Sequence, residues 1–135
     1  MSNVLFPKGK EKLLTGGLIA LLADTVKVAL VTTAYTPNFS TNEFYTSVSP
    51  YVIGTPQTLT SKTDALGVFD AADVTFTTVA AGATALGVVI YKDTGVAGTS
   101  PLLAYIDVIT GFPLATNGGD IQVVWDNGAY KIFSL

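Results

Sequence analysis

Apolar and polar positions alternate with a period of two along most of the chain after residue 24, the pattern of strands with one face in a core. In Thr25 to Thr33, Val26, Val28 and Leu30 fall on one face and Lys27, Ala29 and Val31 on the other. Val74, Phe76 and Thr78 alternate with Thr75, Thr77 and Val79 in a further predicted strand. Leu86 to Lys92 carries the β-branched run Val88-Val89-Ile90, and Leu102 to Ile109, Ile121 to Trp125 and Tyr130 to Leu135 predict three more strands. The last two are separated by Asp126-Asn127-Gly128, a strong hairpin signal, because Asn-Gly tolerates the positive φ angles of a tight hairpin turn. Tyr51 to Thr63 is Thr-rich and interrupted by Gly54 and Pro56, which predicts an edge strand, since proline cannot donate to a ladder on both sides.

Helical signals are few. Lys8 to about Thr15 predicts a short helix closed by Gly16-Gly17, and the apolar turn after it leads into the first long strand. Ser40-Thr41-Asn42-Glu43 has capping-box spacing ahead of Phe44, Tyr45 and Val48, predicting one or two helical turns that end at Pro50. About seven strands with no helix of roughly 10–15 residues between them argue against a parallel βαβ sheet. The expected fold is all-β: an antiparallel β-sandwich, jelly-roll-like or immunoglobulin-like in topology, with one or two short helices. Residues 1–135 are expected to form one domain with a short N-terminal arm and helix over about residues 1–16.

Several strands are apolar on both faces. Leu102, Ala104, Ile106 and Val108 can point into a core, which leaves Leu103, Tyr105 and Ile109 on the opposite face beside Asp107. Ile121, Val123 and Trp125 likewise oppose Gln122 and Val124. A sheet with one wet face alternates more cleanly, so either the chain's own loops and helix or neighbouring subunits cover these second faces.

Composition sharpens that choice. Of 135 residues, 49% are hydrophobic and 13% charged, about half the charged share of an average domain. With mean hydropathy of +0.50, a lone subunit would have to clothe itself in Thr and Ser, and large open apolar patches mark interfaces. Disorder needs the opposite balance. Seven Lys, no Arg and a net charge of −3 exclude a basic footprint for nucleic acid. Lys8, Lys10 and Lys12 precede an apolar run from Leu13 to Ala23 that loosely imitates a secretory signal. The run is far shorter than the ~20 residues a membrane helix needs, so no membrane partner is expected.

The chemical inventory is thin. The absence of Cys removes disulfides and thiol chemistry, and the absence of His removes the commonest general base and metal ligand. Paired carboxylates are the remaining catalytic option: Asp70 and Asp73 lie three apart, and Asp120 and Asp126 flank a strand. Turn and cap roles account for isolated Asp residues, which bond neighbouring backbone amides. The glycine pairs match no phosphate-binding loop. Trp125, Tyr91, Tyr105 and Tyr130 could stack on sugars if exposed, but at alternating positions they serve better as core or interface anchors. No enzyme activity, no cofactor and no metal are expected.

Four stretches carry a resemblance: Asp24-Thr25-Val26-Lys27-Val28-Ala29-Leu30-Val31; Asp70-Ala71-Ala72-Asp73-Val74-Thr75-Phe76; Val89-Ile90-Tyr91-Lys92-Asp93-Thr94-Gly95; and Ser100-Pro101-Leu102-Leu103-Ala104-Tyr105-Ile106-Asp107. Together with the ending from Asn117-Gly118-Gly119-Asp120 through Trp125-Asp126-Asn127-Gly128 to Ile132-Phe133-Ser134-Leu135, they resemble small bacteriophage virion structural proteins. The resemblance implies a capsid decoration or cement protein on the outer surface of the phage head, bound to the major capsid protein and self-associated, by preference as a homotrimer. A tail or head-fibre component with a host-glycan-binding role is the alternative it leaves open. On this reading Tyr91, Leu103, Tyr105 and Val124 are expected to face a partner. The arm residues Val4, Leu5 and Phe6, with no obvious place in the sandwich, are expected to reach a neighbouring subunit or the capsid floor.

Overall fold

The computed structural model describes residues 4–15, 18–109, 111–125 and 132–134. In chain order these form β1 (Val4–Leu5), α1 (Pro7–Leu14), β2 (Val26–Thr32), β3 (Val52–Thr58), β4 (Val68–Phe69), β5 (Val74–Phe76), β6 (Thr84–Lys92), β7 (Leu102–Ile106), β8 (Leu114–Ala115), β9 (Ile121–Val123) and β10 (Phe133–Ser134). The main sheet has the order β1-β7-β6-β2-β3, with β8 paired to the start of β6. Every described pairing is antiparallel, and β5-β9 and β4-β10 form two small sheets. The result is the expected all-β fold with sandwich-like packing.

The sheet has a core on each side. Val26, Val28 and Leu30 of β2 and Val88 and Ile90 of β6 face Phe69, Phe76, Val123 and Trp125 from the small sheets and their flanks. On the opposite face Ala29, Val31, Val89, Tyr91, Leu102 and Tyr105 are packed with Phe6, Tyr35 and Val48. The cover over this second face is the chain's own segment between β2 and β3. It is stitched to the start of β7 by Leu102 N–H donating to Glu43 O (2.9 Å) and Tyr45 N–H donating to Ser100 O (2.8 Å). The Lys12 ammonium, 2.7 Å from Glu43 Oε2, ties α1 to the same segment and holds the Glu43 carboxyl below its ordinary pKa.

Four expectations are corrected by this arrangement. First, Tyr91 and Tyr105 lie inside the second core and Leu103 inside the first, so none of the three faces outward. Tyr91 and Tyr105 keep the face that alternation gives them, but the chain itself covers it. Leu103 changes face because of a β-bulge, in which Ile90 pairs with Ala104 but Tyr91 with Leu102, leaving Leu103 unopposed. An extra residue on one strand turns two successive side chains to the same face. Leu103 therefore joins Ala104 and Ile106, and Leu102 joins Tyr105; Val108, expected in the core, lies past the end of β7 and is exposed.

Second, the N-terminal arm belongs to the main sheet: Val4 pairs with Tyr105 and Leu5 with Ala104, and Phe6 is fully buried against Phe39. The buried Phe6 ring and the ladder to β7, continued by Phe6 N–H donating to Leu103 O (2.8 Å), together offset the entropy of ordering these residues. Third, no capping-box helix forms at 40–43. Asn38 Oδ1 instead accepts from Ser40 N–H and Thr41 N–H, and two 3-10 turns follow at Tyr45–Ser47 and Ser49–Tyr51, the second containing Pro50 rather than ending before it.

Fourth, β9 pairs with β5 and β10 with β4, so the last two strands do not pair with each other along their described residues. The Asp126-Asn127-Gly128 turn and the Gly16-Gly17 helix stop lie outside the described residues. Close approach explains two glycines: a Cβ on Gly9 would sit 2.4 Å from Leu102 O, and one on Gly87 2.5 Å from Ile106 O. α1 and β6 can lie where they do only because these positions carry no side chain.

Candidate functional site: an open leucine cleft

With both faces of the main sheet covered internally, open apolar surface concentrates elsewhere. Leu14, Leu18, Leu22 and Leu66 are 86%, 54%, 47% and 102% exposed. Leu22 lines a cleft of about 390 Å³ together with Leu13, Ala20, Leu21, Ala23, Asp64, Gly67, Phe69 and Phe133, and Leu14, Leu18 and Leu66 lie on the segments that supply this lining. Leu14 follows the lining residue Leu13 at the end of α1, and Leu66 stands between the lining residues Asp64 and Gly67.

Local chemistry holds both lips in place. Ile19 is buried in the first core and anchors the 18–24 segment. Asp24 Oδ2 accepts from Ala20 N–H (2.8 Å) and lies 3.1 Å from the Lys92 ammonium, which also donates to Leu18 O at 2.9 Å. Lys62 donates to Asp24 O and so ties the opposite lip to the same point. Partial burial pushes the Asp24 carboxyl upward, but the Ala20 N–H, Lys92 and Lys62 outweigh it, and its pKa lies below the ordinary value. The leucines are presented by a fastened loop, not by a frayed end.

Leu66 is also conformationally costly. Its φ of 54° and ψ of 33° place it in the left-handed region, which a leucine enters at a cost of roughly 1–2 kcal/mol. It recovers nothing by burial. Strained, exposed residues of this kind cluster where a surface is used.

Of the seven residues singled out as partner-facing, only Val124 is open, at 50%. Val4 and Leu5 are half-buried in β1, and Phe6, Tyr91, Leu103 and Tyr105 are buried. The structure does not bring the seven together on an open surface. The sequence signal for the leucine cleft was present in Leu13 to Leu22, but periodicity reads such a run as a helix end leading into a strand and does not report exposure.

Asp73 and Asp120 have structural partners, and Asp126 lies outside the described residues. Asp73 Oδ1 accepts from Trp125 N–H (3.0 Å) and Asp120 Oδ1 from Thr78 N–H (2.9 Å), while the main chain of Asp70, not its carboxylate, forms a two-way bridge with Thr63. Trp125 is buried and its indole N–H donates to Ala72 O (3.0 Å), so its ring is not a platform for sugars. Among the described residues no group of three or more His, Cys, Asp or Glu could hold a metal ion, and no helix is long and apolar enough to cross a membrane. The edge of β3, which no strand among the described residues pairs, is a poor template for strand addition. Val28 pairs with Gln57 and Leu30 with Ile53, so Gly54, Thr55 and Pro56 bulge out, with Gly54 at φ 67°. What the arrangement offers is an apolar docking surface. No protein-family model and no curated protein matches the chain.

Proposed function

We propose that this protein is a structural component of a bacteriophage particle, a decoration or cement protein that binds the major capsid protein on the outer surface of the head and stabilises the shell. It acts without enzymatic chemistry, cofactor or metal, and it works as a homo-oligomer, by preference a trimer. The observation that carries the reading is the leucine cleft: a chain with 13% charged residues spends four leucines on an open, fastened surface. A solitary soluble domain gains nothing from such a patch, whereas an assembling subunit needs one. The resemblance of the stretches around β2, β5, β6 and β7 to phage virion proteins supplies the setting.

Quantifying the protein in purified particles of the phage that encodes it tests the reading. Hundreds of copies per particle, with antibody label over the head, are expected. Tens of copies or fewer, or label confined to the tail, would replace decoration with a fibre or tail role. Absence from the particle would reject both.

A further inference from the structure

We infer that the leucine cleft is a self-association surface in which Leu66 of one copy seats in the cleft of a second copy of this chain. Two observations select that occupant. A protruding apolar knob and an apolar hole lie side by side on one surface: Leu66 is wholly exposed, and the 390 Å³ cleft between Leu13, Leu21, Phe69 and Phe133 is far larger than a leucine side chain. Copies of one chain can exploit this reciprocally, each giving a knob and receiving one.

The area is also right for such a contact. At the exposures given above, the four leucines present on the order of 500 Å² per copy, or about 1,000 Å² across two copies, the lower bound for a specific interface.

This deepens the reading of the chain as an assembling structural protein but does not depend on the capsid. Self-association is measured on the purified protein and particle loading on the phage, so either can fail alone. Two copies about a two-fold axis or three in a closed ring satisfy the contact equally. The residues in contact, rather than the mass, are therefore the test.

Sedimentation of the full chain from about 1 µM to about 1 mM should show reversible association. Leu66→Asp, at a position whose side chain touches no core, should weaken it at least about tenfold, and Leu66→Gly should do the same while relieving backbone strain. The chain has no cysteine, so Leu66→Cys can be labelled with a photoactivatable maleimide. Mixed isotopically light and heavy protein should then yield inter-chain cross-links to residues 13–23 or 132–134. A monomer throughout the concentration range overturns the inference. So does association that Leu66→Asp leaves unchanged, or cross-links that fall elsewhere on the second copy.

Discussion

The second face of the main sheet and the leucine cleft are both rich in apolar side chains, yet one is closed and the other open. Over the second face the chain supplies its own lid. Phe6 enters from the N-terminus, Tyr35, Phe39, Tyr45 and Val48 come down from the β2–β3 connection, and Tyr45 stacks on Tyr91 at 4.2 Å. At the cleft nothing comparable arrives from the described residues, although Asp24, Lys62 and Lys92 fasten both lips. Apolar content therefore does not identify an interface. What separates the two regions is whether another stretch of the same chain can reach them, and only the uncovered region is available to a partner.

The sharpest way to break this comparison is to remove Phe6. If the second face is a true core, Phe6→Ala costs about 3–5 kcal/mol, as does Phe76→Ala in the first core, because each leaves a cavity among fully buried neighbours. Urea denaturation of the two variants should show midpoints lowered to a similar degree. A loss below about 0.5 kcal/mol for Phe6→Ala would mean that the arm is free and the second face is open.

Alkali should single out the same face. Burial is the main cause raising the pKa of Tyr35, Tyr91 and Tyr105, for Tyr105 to about 12; the neighbouring Tyr105 and Tyr51 add to it for Tyr35, Tyr45 and Asp93 for Tyr91, and Asp107 for Tyr105. The unfolded chain ionises its tyrosines near pH 10, before the folded chain does. Their contribution is thus complete below pH 10 and is lost as pH rises from there through the folded values. The slope approaches about 1.4 kcal/mol per pH unit for each buried tyrosine above pH 10, so the three together lose about 3 kcal/mol between pH 10 and 11. Tyrosinate absorbance should rise together with loss of the fold. Three tyrosines titrating near pH 10 in a chain that stays folded would show the lid to be permeable to water.

A smaller effect is expected where the regions meet. α1 lies between them, with Phe6 before it in the second core and Leu13 within it lining the cleft. Gly9→Ala gains roughly 1 kcal/mol in helix propensity but drives a methyl group to 2.4 Å from Leu102 O, a backbone atom that cannot swing away. Overpacking of this kind costs about 1–3 kcal/mol, so the clash should win and the thermal midpoint should fall. Lys10→Ala on the exposed side of the same helix should change stability by less than about 0.5 kcal/mol. If Gly9→Ala were as mild, the helix would be shown to move freely on β7.

These contrasts also explain what the sequence made legible. The long strands β2, β6 and β7 and the blunted edge β3 were readable because period-two patterning over five or more residues admits few alternatives. β1, β4 and β8 are two residues each and carry no period. The orientation of Leu103 was lost because the bulge beside it reverses the phase, and a bulge depends on the partner strand. The lid was lost because Tyr35, Phe39 and Val48 lie in a connection without regular spacing. At the candidate site, the apolar run Leu13 to Leu22 was visible, but its exposure was not. That depends on which other segment covers it, information that only the tertiary arrangement holds.

The smallest expected effect tests the open region from the other side. Leu66 sits at φ 54° with its side chain fully in solvent, so replacing it removes no packing within the subunit. Leu66→Gly relieves roughly 1–2 kcal/mol of left-handed strain, offset by roughly 0.5–1 kcal/mol for the greater freedom of glycine in the unfolded chain. The net gain should be about half a kcal/mol, read as a raised urea midpoint at concentrations low enough to keep the protein monomeric. Leu66→Ala separates the causes, because alanine keeps a Cβ and most of the strain while losing the same apolar exposure. Alanine should therefore be close to neutral where glycine stabilises. Equal gains from both would place the cost of Leu66 in exposure rather than in backbone conformation. A loss from both would mean that its side chain packs within its own subunit, and the cleft would then belong with the covered face.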